Sequence, residues 1–377
     1  MILPGATVGV LGGGQLGRMF ALQARTMGYR VVVLDPDLQS PAAAVADQHI
    51  RSGYEDPKGL AHLAKLCAAV TTEFENVPAE TLERLAASCI VRPSGQAVAI
   101  AQDRISEKTF FQSHGFGTAK FHPVRDPDEL EAAVIHVGLP GLLKTSRLGY
   151  DGKGQILLTE AAAAREAFAR LGSVPCVLEE RVELECELSV IVARGADGAQ
   201  AVFPVAENRH REGILDTSMV PARVSEKMAT QASALVTEIA AALEYVGVLG
   251  VELFVTKAGA LLVNEMAPRP HNTGHYTLDA CSVDQFELQL RTLCGLPLVQ
   301  PWLLSPVTMI NLLGDLWNGG EPRWEEALRR PGVRLHLYGK AEARPGRKMG
   351  HLNCLAATAD QAFSLALESR EALRRNS

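Results

Sequence analysis

Residues 264–277 read NEMAPRPHNTGHYT and follow directly on an apolar run. That run predicts a strand, which delivers an amide, Asn264, and a carboxylate, Glu265, at its end. Prolines on both sides of Arg269 fix the backbone, so that Arg269 and His271 project from a stiff turn. An acid followed by a cationic cluster of one Arg and two His indicates a site for a metal–nucleotide beside an anionic substrate. A solvated surface turn is the alternative interpretation.

Composition and charge exclude several classes of protein. The chain has 377 residues, of which 47% are hydrophobic and 21% charged, and this is enough for two or three domains with buried cores. A net charge of -6 argues against a nucleic-acid binder, because phosphate contacts need a basic face. No run of 18 apolar residues is present, so we expect no membrane span. The N-terminus lacks a basic start and a cleavage site, which indicates a first strand and not a signal peptide.

The seven cysteines are scattered along the chain and include no Cys-x-x-Cys pair. This pattern indicates reduced thiols in a cytoplasmic protein, with neither a disulfide framework nor a structural zinc site. Among the histidines, His271 and His275 have four-residue spacing, but they lie in a Pro/Gly turn and not on a helix. That position argues against a structural transition metal.

The pattern of apolar segments predicts a protein of the α/β and α+β classes. The first hundred residues alternate strand-like runs with helical patterns, which predicts a parallel sheet with helices on its faces. A compact α+β module, a region of longer strands and a tail of short strands follow. We predict four regions: a Rossmann-like domain at 1–102, a small lid subdomain at 103–182, a large subdomain at 183–300 and a C-terminal region at 301–377.

Individual elements can be predicted in the second half of the chain from the same patterns. Strands are predicted at 187–193, 201–204, 248–255 and 261–265, with one long helix at 226–245 separating the two pairs. In the tail, short strands are predicted at 307–312, 334–337 and 354–357. A final helix is predicted at 359–375, and no internal repeat or low-complexity linker is present.

A glycine-rich turn follows the first predicted strand. Residues 12–17 read GGGQLG and match G-x-G-x-x-G, with Asp35 about 20 residues further on, as in the dinucleotide-binding fingerprint. Glycines let the backbone approach an anion, and the start of the following helix supplies N–H groups and a favourable dipole. Any phosphate suits such a site, and a merely tight turn is the alternative interpretation.

A second glycine-rich segment, GYDGKGQ at residues 149–155, lies between two strand-like segments and shortly after Lys144. Its glycines predict a mobile hairpin that closes over phosphates, and Lys153 brings positive charge with it. The segment is not a Walker A loop, because the G-K-[S/T] ending and the following helix are missing. A plain hairpin is the alternative, although the adjacent KTSR is unusually cationic for a turn.

Two carboxylates, Glu252 and Glu265, fall on neighbouring apolar strands that we predict to form a hairpin. With Asn264 they offer hard oxygen ligands for a Mg²⁺ ion that bridges phosphates. Strand carboxylates that face water are the alternative interpretation. Residues 179–182, EERV, end another apolar strand and have the pattern of an inter-domain hinge, whose backbone groups bind an adenine and whose carboxylate binds a ribose.

Seven blocks of the sequence carry a family resemblance: GGGQLGR (12–18), TEFENV (72–77), QDRISEK (102–108), KTSRLGYDGKGQ (144–155), ENRHREG (207–213), residues 264–277 and GKAEARPGRKMGH (339–351). Together they resemble the ATP-grasp superfamily and, within it, the N5-carboxyaminoimidazole ribonucleotide synthase family. The resemblance spans nearly the whole chain. It implies an ATP-grasp fold with an N-terminal Rossmann-like parallel-sheet domain and a small C-terminal mostly-β region, in which the glycine turn is not a dinucleotide site.

The resemblance implies a role for each block. ATP would be held by Arg104, Lys144, Gly149, Tyr150, Asp151, Gly152, Lys153, Gly154, Gln155, Glu179, Glu180, Arg181, Val182, Glu187, His210, Asn264 and Glu265. Glu252 and Glu265 would ligate Mg²⁺. The 5′-phosphate of aminoimidazole ribonucleotide would sit on the backbone of Gln15 and Leu16 and be gripped by Lys340 and Arg347, with Glu73 at the ribose. The reacting amine and the bicarbonate-derived group would be surrounded by Tyr150, Asp151, Lys153, Arg269 and His271.

The implied reaction is the ATP- and bicarbonate-dependent carboxylation of the 5-amino group of 5-aminoimidazole ribonucleotide, in purine (IMP) biosynthesis. Bicarbonate is a poor electrophile, so ATP phosphorylates it to carboxyphosphate, which carboxylates the amine. The developing charge needs Mg²⁺ and lysines, and the instability of carboxyphosphate in water needs a closing lid. Asp151 is the candidate for removing the amine proton. The resemblance further implies a homodimer and a functional hand-off to the mutase that isomerises the product.

The sequence departs from the family pattern at the hinge and before the lid. Arg181 stands where an aromatic or apolar residue is more usual. Ser146 and Leu148 replace the more basic or glycine-rich residues that often precede Tyr-Asp-Gly. These departures concern the local detail of the hinge and lid and leave the implied reaction unchanged.

Three other functions remain as alternatives. Another ATP-grasp ligase, such as formate-dependent glycinamide ribonucleotide transformylase or a biotin carboxylase, shares ATP and Mg²⁺ but differs in its acceptor. An NAD-dependent dehydrogenase accounts for the glycine turn but leaves the lid, the paired glutamates and the basic tail unexplained. A non-enzymatic nucleotide sensor keeps the ATP site and does not turn over.

Overall fold

The computed structural model describes residues 1–149 and 152–374. Within these residues the strands form three sheets, a parallel one with five strands and two antiparallel ones with nine and four strands. The mixture of α/β and α+β structure predicted from the sequence is confirmed. The described helices include none that is both long and apolar enough to cross a membrane.

The N-terminal sheet is built from short apolar strands that alternate with helices. Its elements are β1 (Thr7–Leu11), α1 (Gln15–Thr26), β2 (Arg30–Leu34), β3 (Gln48–Ile50), α2 (Pro57–Leu66), β4 (Ala69–Thr72), α3 (Ala79–Ala86), β5 (Ile90–Val91) and α4 (Gly95–Ala101). The strands lie in the order β3-β2-β1-β4-β5, and all neighbours are parallel, as predicted. Because β1 and β4 are neighbours, their carboxyl ends bring the glycine turn next to Glu73.

A small antiparallel sheet and its helices follow. The elements are α5 (Arg104–Ser113), β6 (Phe121–Val124), α6 (Glu129–Val137), β7 (Gly141–Thr145), β8 (Gln155–Leu158), α7 (Ala164–Arg170) and β9 (Cys176–Glu180). Asp103 caps α5, because its carboxylate accepts hydrogen bonds from the N–H groups of Ile105 and Ser106. Strands β7 and β8 form the predicted hairpin around the glycine-rich loop, and the strand order is β6-β9-β7-β8.

The large antiparallel sheet contains most of the second half of the chain. Its elements and the adjoining helices are β10 (Leu184–Arg194), β11 (Gln200–Val202), β12 (Ala206–Arg211), β13 (Ile214–Val220), α8 (Glu226–Ala242), β14 (Gly247–Thr256), β15 (Leu261–Ala267), α9 (Thr277–Ala280), α10 (Gln285–Cys294), β16 (Val307–Leu313), α11 (Trp324–Leu328), β17 (Val333–Leu337), β18 (Lys348–Leu355) and α12 (Ala359–Leu373). The order is β15-β14-β10-β12-β13-β16-β18-β17, with β11 beside β10. The tail strands therefore extend the same sheet.

The structure corrects the strand predictions at two places in this sheet. Strands β12 and β13 lie where the sequence predicts none. In β12, which reads AENRHR, charged residues obscure the apolar pattern, yet its first half is buried by pairing with neighbouring strands. The strand predicted at 354–357 is also misplaced. Strand β18 starts earlier because polar residues such as His351 and Asn353 are buried within it.

Bulges interrupt the register of the large sheet beside its central strands. They lie at Arg209/His210 in β12, at Glu252/Leu253 in β14 and at Leu312/Leu313 in β16, where Leu313 pairs with Lys348. A bulge bends a strand and increases its local twist. The sheet is therefore bent next to three residues, His210, Glu252 and Lys348, that line the cleft described below.

Helix α10 joins the parallel sheet to the large sheet. Phe286 and Leu290 are fully buried in the core that α10 shares with α1. Gln289 bonds to both sheets, since its amide nitrogen donates to Thr71 Oγ1 of β4 (2.7 Å) and its oxygen accepts from the N–H of Val248 in β14 (2.6 Å). The two large parts of the molecule are therefore held together by both apolar packing and buried hydrogen bonds.

The substitution Leu290→Ala is expected to lower the free energy of unfolding by about 3 kcal/mol, because it leaves a cavity in this shared core. The matched control is Leu22→Ala on α1, whose side chain is 45% exposed. The control is expected to change stability by less than about 0.5 kcal/mol. Urea denaturation of the two variants measures the difference, and equal losses would contradict the role assigned to α10.

Candidate active site

A cleft of about 1430 Å³ lies where the three sheets meet. It is lined by residues from each of them, including Glu73 after β4, Lys144 on β7 and Glu252 on β14. Of the site residues predicted from the sequence, those that the structure describes all line the cleft except Gly154. Tyr150 and Asp151 lie outside the described residues.

The glycine turn is occupied by the protein's own carboxylates. Asp35 Oδ2 accepts the N–H of Gly13 (2.7 Å), and Glu73 accepts the N–H groups of Gly14 (2.6 Å) and Gly17 (2.9 Å). Burial raises the pKa of Glu73, although these N–H groups oppose the shift. In a dinucleotide site, the pyrophosphate takes the place that Glu73 takes here. The alternative of an NAD-dependent dehydrogenase therefore loses its structural support.

Part of the helix N-terminus remains open to the cleft. The N–H groups of Gln15 and Leu16 have no hydrogen-bond partner among the described residues, and both residues line the cleft. Unpaired N–H groups at a helix start attract anions. The place predicted for a 5′-phosphate is therefore available beside Glu73.

Lys144, on β7 at the base of the hairpin, and Lys108, on α5, both approach the buried carboxylate of Glu179. Lys144 Nζ lies 2.9 Å from Glu179 Oε2, and Lys108 Nζ lies 3.4 Å from the same atom. Gly149, Gly152, Lys153 and Gln155 line the cleft. Gly154 faces the hairpin instead, because its carbonyl accepts the N–H of Thr145 and a side chain there would approach the Thr145 hydroxyl to 2.7 Å.

The predicted hinge, residues 179–182, leaves the small sheet at the mouth of the cleft. Glu179 is only 2% exposed, and its Oε1 atom has no partner among the described residues. Burial opposes ionisation of Glu179, but Lys144 and Lys108 outweigh it and lower the pKa of the carboxyl. The N–H groups of Glu180 and Arg181 are used within the sheet, which leaves the N–H of Val182 for a ligand.

Glu187 and His210 face each other across β10 and β12. His210 Nδ1 makes a short hydrogen bond to Glu187 Oε2, and both side chains line the cleft. Burial alone would lower the pKa of His210, but the bond to Glu187 and the nearby carboxylates of Glu252 and Glu265 raise it above its ordinary value. This pair therefore brings a polar and partly charged group to the large-sheet side of the cleft.

Glu252 and Glu265 are direct cross-strand partners on β14 and β15, as predicted. Burial and the charge of Glu265 raise the pKa of Glu252 to about 7. For Glu265 burial acts in the same direction, but the Arg104 guanidinium outweighs it and lowers the pKa to about 2. Arg104 Nη1 lies 2.8 Å from Glu265 Oε2. The two carboxyl groups therefore lie close together, and the guanidinium of Arg104 offsets part of their negative charge.

Helix α5 holds this strand end with three side chains spaced on one face. Arg104 pairs with Glu265, and Glu107 accepts the N–H of Met266 (2.7 Å). Lys108 donates to the carbonyl of Asn264 at 3.5 Å. Burial and the charge of Glu265 raise the pKa of Glu107 to about 8. The helix thus fixes β15 where Asn264 and Glu265 enter the cleft.

Arg269 is held by a carboxylate that the sequence analysis did not assign. Its Nε atom lies 2.5 Å from Glu75 Oε2, and both side chains line the cleft. Burial opposes the charge on each partner, yet their attraction lowers the pKa of Glu75 and raises that of Arg269. The side-chain nitrogen of Gln102 donates to the carbonyl of Glu75 and so fixes this segment in turn.

The interpretation of residues 264–277 as a cluster of cations is wrong for its two histidines. Burial and the neighbouring Arg269 charge lower the pKa of His271 to about 3, and burial lowers that of His275 far below its usual range. Both rings are therefore neutral at neutral pH. His271 lines the cleft with its Nε2 atom 3.7 Å from Glu252 Oε1, whereas His275 is fully buried behind the turn.

The tail brings its cations to the cleft. Lys340 and Arg347 line it, as do Arg344 and Lys348, which the sequence analysis did not assign. Lys340 Nζ donates to the carbonyl of Lys348 (2.7 Å), and Arg347 donates to the carbonyl of Glu342 (3.0 Å). The basic tail and the open N-terminus of α1 therefore line the same cleft.

Comparison with known proteins identifies the family. Domain models match the chain in succession: the ribonucleotide synthetase preATP-grasp domain at residues 5–102, the ATP-grasp domain at 109–286 and the phosphoribosylaminoimidazole carboxylase C-terminal domain at 307–364. An N5-carboxyaminoimidazole ribonucleotide synthase of Brucella melitensis is 46% identical, over 93% of this chain and 96% of its own length. The chain belongs to the N5-carboxyaminoimidazole ribonucleotide synthase family.

Solved structures of this synthase family agree with the fold. The ADP complex of one synthetase has a TM-score of 0.93 and 44% identity, over 98% of this chain and 97% of that chain. The synthase of Aspergillus clavatus, in complex with ADP and 5-aminoimidazole ribonucleotide, has a TM-score of 0.90 and 32% identity, over 98% of both chains. The ATP-grasp fold expected from the sequence is therefore confirmed.

The glutamate pair fits the divalent cation that the synthase family resemblance implies. The described residues include no group of three or more His, Cys, Asp or Glu side chains arranged to hold a metal. Mg²⁺ does not need one, because it commonly binds through one or two carboxylates and through phosphate oxygens. A cation at this place would relieve the repulsion that raises the pKa of Glu252.

The substitution Glu252→Gln is expected to stabilise the ligand-free protein, and more strongly at pH 8 than at pH 5. Folded Glu252 keeps its proton up to about pH 7, whereas in the unfolded chain the proton is lost near the ordinary pKa of 4.5. The wild type therefore loses about 2–3 kcal/mol as the pH rises through this window, and the variant does not. Thermal unfolding at the two pH values measures the effect.

Glu265→Gln is the matched control for this pH dependence. Because the pKa of Glu265 is lowered, this carboxylate is ionised in both the folded and the unfolded chain above pH 5. The variant leaves Arg104 without its partner and is expected to be less stable than the wild type at pH 5, where Glu252→Gln is not. Because Glu265→Gln also removes the charge that raises the pKa of Glu252, its deficit is expected to shrink at pH 8. The assignment of the two carboxyl groups would be wrong if Glu265→Gln were as stable as Glu252→Gln at pH 5.

Proposed function

We propose that the chain catalyses the ATP-dependent carboxylation of the 5-amino group of 5-aminoimidazole ribonucleotide to N5-carboxyaminoimidazole ribonucleotide, in purine (IMP) biosynthesis. It is then an ATP-dependent carbon–nitrogen ligase. The observation that carries the proposal is the cleft itself. It is lined by a glutamate pair and lysines suited to ATP, and also by an open helix N-terminus and a basic tail suited to a phosphate. The relative solved with ADP and this ribonucleotide supports it.

The ATP half of the proposal rests on the small sheet and the glutamate pair. Lys144 and the loop 149–155 would hold the phosphates of ATP. The N–H of Val182 would bind the adenine, and Glu187 with His210 would contact the nucleoside part of ATP. Mg²⁺ would be held by Glu252 and Glu265, with Asn264 beside it. When bound, Mg²⁺ would neutralise charge on the transferred phosphoryl group.

The ribonucleotide half rests on the N-terminus of α1 and the cations of the tail, which line the same cleft. The N–H groups of Gln15 and Leu16 would bind the 5′-phosphate, and Lys340 and Arg347 would neutralise it. Each oxygen of Glu73 accepts one N–H bond, and a carboxylate oxygen can accept a second from a ribose hydroxyl. The acceptor would therefore be anchored by its phosphate and sugar, which leaves its amine free to react.

Bicarbonate would be the source of the carboxyl group, with ATP converting it to carboxyphosphate. Arg269, fixed by Glu75, would hold this small anion, and Lys153 would approach as the lid closes. Neutral His271 can donate or accept a hydrogen bond at the same place. Exclusion of water matters because carboxyphosphate hydrolyses quickly, so the lid must close before phosphoryl transfer.

Tyr150 and Asp151, outside the described residues, stay in this proposal as groups near the reacting amine. Asp151 would take the amine proton while carboxylation proceeds. The substitution Asp151→Asn is therefore expected to reduce the carboxylation rate. A variant with the full wild-type rate would remove Asp151 from the mechanism.

The proposal also includes the organisation of the enzyme. Residues 1–102 would provide the phosphate turn, 103–182 the lid, 183–300 the metal and nucleoside contacts and 301–377 the cations that grip the acceptor. We further propose a cytoplasmic homodimer. A hand-off of the product to a mutase is supported by the chemistry, because a carbamate decomposes readily if it is released into water.

The deciding experiment measures ADP release from Mg-ATP and bicarbonate, with and without aminoimidazole ribonucleotide. Release that depends on this ribonucleotide, with a labile carboxylated product, is expected. Turnover only with formate and glycinamide ribonucleotide would retain the fold and change the enzyme. Tight ATP binding without turnover on any acceptor would indicate a nucleotide sensor.

The substitution Lys340→Met is expected to raise the KM for aminoimidazole ribonucleotide by roughly ten- to a hundredfold, because one charge-assisted hydrogen bond to phosphate is lost. The KM for ATP is expected to stay within a factor of about two. Lys227→Met, on the exposed surface of α8, is the control and is expected to change neither value. Steady-state assays that vary one substrate at a time measure both, and a larger change in the KM for ATP would contradict the placement.

A further inference from the structure

Gln285, the first residue of α10, is 0% exposed and contacts the backbone of His271 at two points. Its Oε1 atom accepts the N–H of His271 (2.9 Å), and its Nε2 atom donates to the carbonyl of the same residue (2.8 Å). The Nε2 atom also lies 3.0 Å from His275 Nδ1. One buried amide therefore fixes both peptide groups that flank His271.

The space around His271 leaves the turn little freedom. A side chain at Gly250 of β14 would come within 2.6 Å of His271 Cβ, so β14 and the turn are already in contact. On the other side, a side chain at Gly274 would come within 2.5 Å of Gln285 Oε1. Pro270, which precedes His271, fixes its own φ and offers no N–H. Strand β14 and Gln285 therefore enclose the turn between them.

We propose that Gln285 is a positioning residue for the carboxylation reaction, acting through His271. This inference rests on the proposed function, because it assigns to Gln285 the task of holding the His271 ring against Glu252 and the small-anion site. A displacement of about 1 Å in a reacting arrangement can cost two orders of magnitude in rate. Gln285 itself is absent from the cleft lining, so its effect on the reaction is indirect.

A buried glutamine can also serve stability alone, and the same helix provides the comparison. Gln289, one turn after Gln285, is 1% exposed and makes two buried hydrogen bonds, to Thr71 and Val248. Neither bond reaches the turn that carries Arg269 and His271. Gln289→Met therefore removes a similar number of buried bonds from the same helix and leaves the active-site turn in place.

The experiment compares Gln285→Met with Gln289→Met and measures labelled bicarbonate fixed per ADP released. Gln285→Met is expected to lower the kcat for carboxylation roughly tenfold to a hundredfold and to reduce the yield per ADP, with a small change in the KM for ATP. Gln289→Met is expected to lower the melting temperature similarly but to keep the wild-type yield per ADP. Equal yields in the two variants would overturn the proposal.

A double-mutant test shows whether Gln285 acts through His271. In a His271→Ala background, Gln285→Met is expected to cause no further loss of yield, because the group it positions is already gone. An additive loss would overturn the proposal. Wild-type ADP release that ignores the ribonucleotide would instead contradict the proposed function, so that the two failures are distinguishable.

Two further variants keep the test decisive if Gln285→Met does not fold. Gly274→Ala retains the glutamine but displaces its Oε1 atom, and it is expected to lower the yield per ADP in the same way. Gln285→Glu loses the amide donor, and a protonated carboxyl can replace it towards the His271 carbonyl. Its activity relative to wild type is therefore expected to rise as the pH falls. Wild-type yield in Gly274→Ala, or a pH-independent ratio in Gln285→Glu, would overturn the proposal.

Discussion

The ion pair between Arg104 and Glu265 is the interaction on which the arrangement of the cleft depends. Two partly buried glutamates face each other across β14 and β15 beside the cleft, and their mutual repulsion must be offset when no ligand is present. Arg104 supplies that charge from α5, and Glu107 and Lys108 bind the same strand end. Buried charges persist only when they are paired in this way. Helix α5 is thereby attached to the end of β15 that carries Asn264 and Glu265.

Much of the fold could be predicted because its signals are local. The parallel sheet follows from apolar runs that alternate with helical patterns, and the Asp103 cap and the β7–β8 hairpin follow from short motifs. The predictions that failed concern strands whose formation depends on partners distant in the sequence. Strand β12 reads AENRHR, and only its partners on both sides bury it. The extension of the large sheet into the tail likewise depends on the pairing of β13 with β16, which no local pattern records.

In the site, likewise, the sequence predicts which residues take part but not the contacts and charge that each of them has in the folded protein. Nearly all of the described side chains that motifs and the family resemblance selected line the cleft, because an ATP reaction needs carboxylates, cations and glycines together. They did not reveal Glu75, which holds Arg269, or Gln285, which holds His271. Glu75 lies within one of the quoted blocks and Gln285 lies after another, but nothing in the sequence indicates which residue either of them contacts. The charge of His271 was also misjudged, because burial and not residue type decides whether a histidine is protonated.

The bulges of the large sheet have a geometric consequence. Strands β14 and β18 are five neighbours apart in the sheet order, which is roughly 24 Å along a flat sheet at the usual strand spacing. Yet the ammonium of Lys348 on β18 is near enough to lower the pKa of Glu252 on β14. Twist and bending of the sheet bring these two strands closer than a flat sheet would, and the bulges beside His210, Glu252 and Lys348 contribute to that bending. The distance between the cleft residues on β14 and β18 therefore depends on the backbone pairing of the strands between them as well as on the side chains themselves.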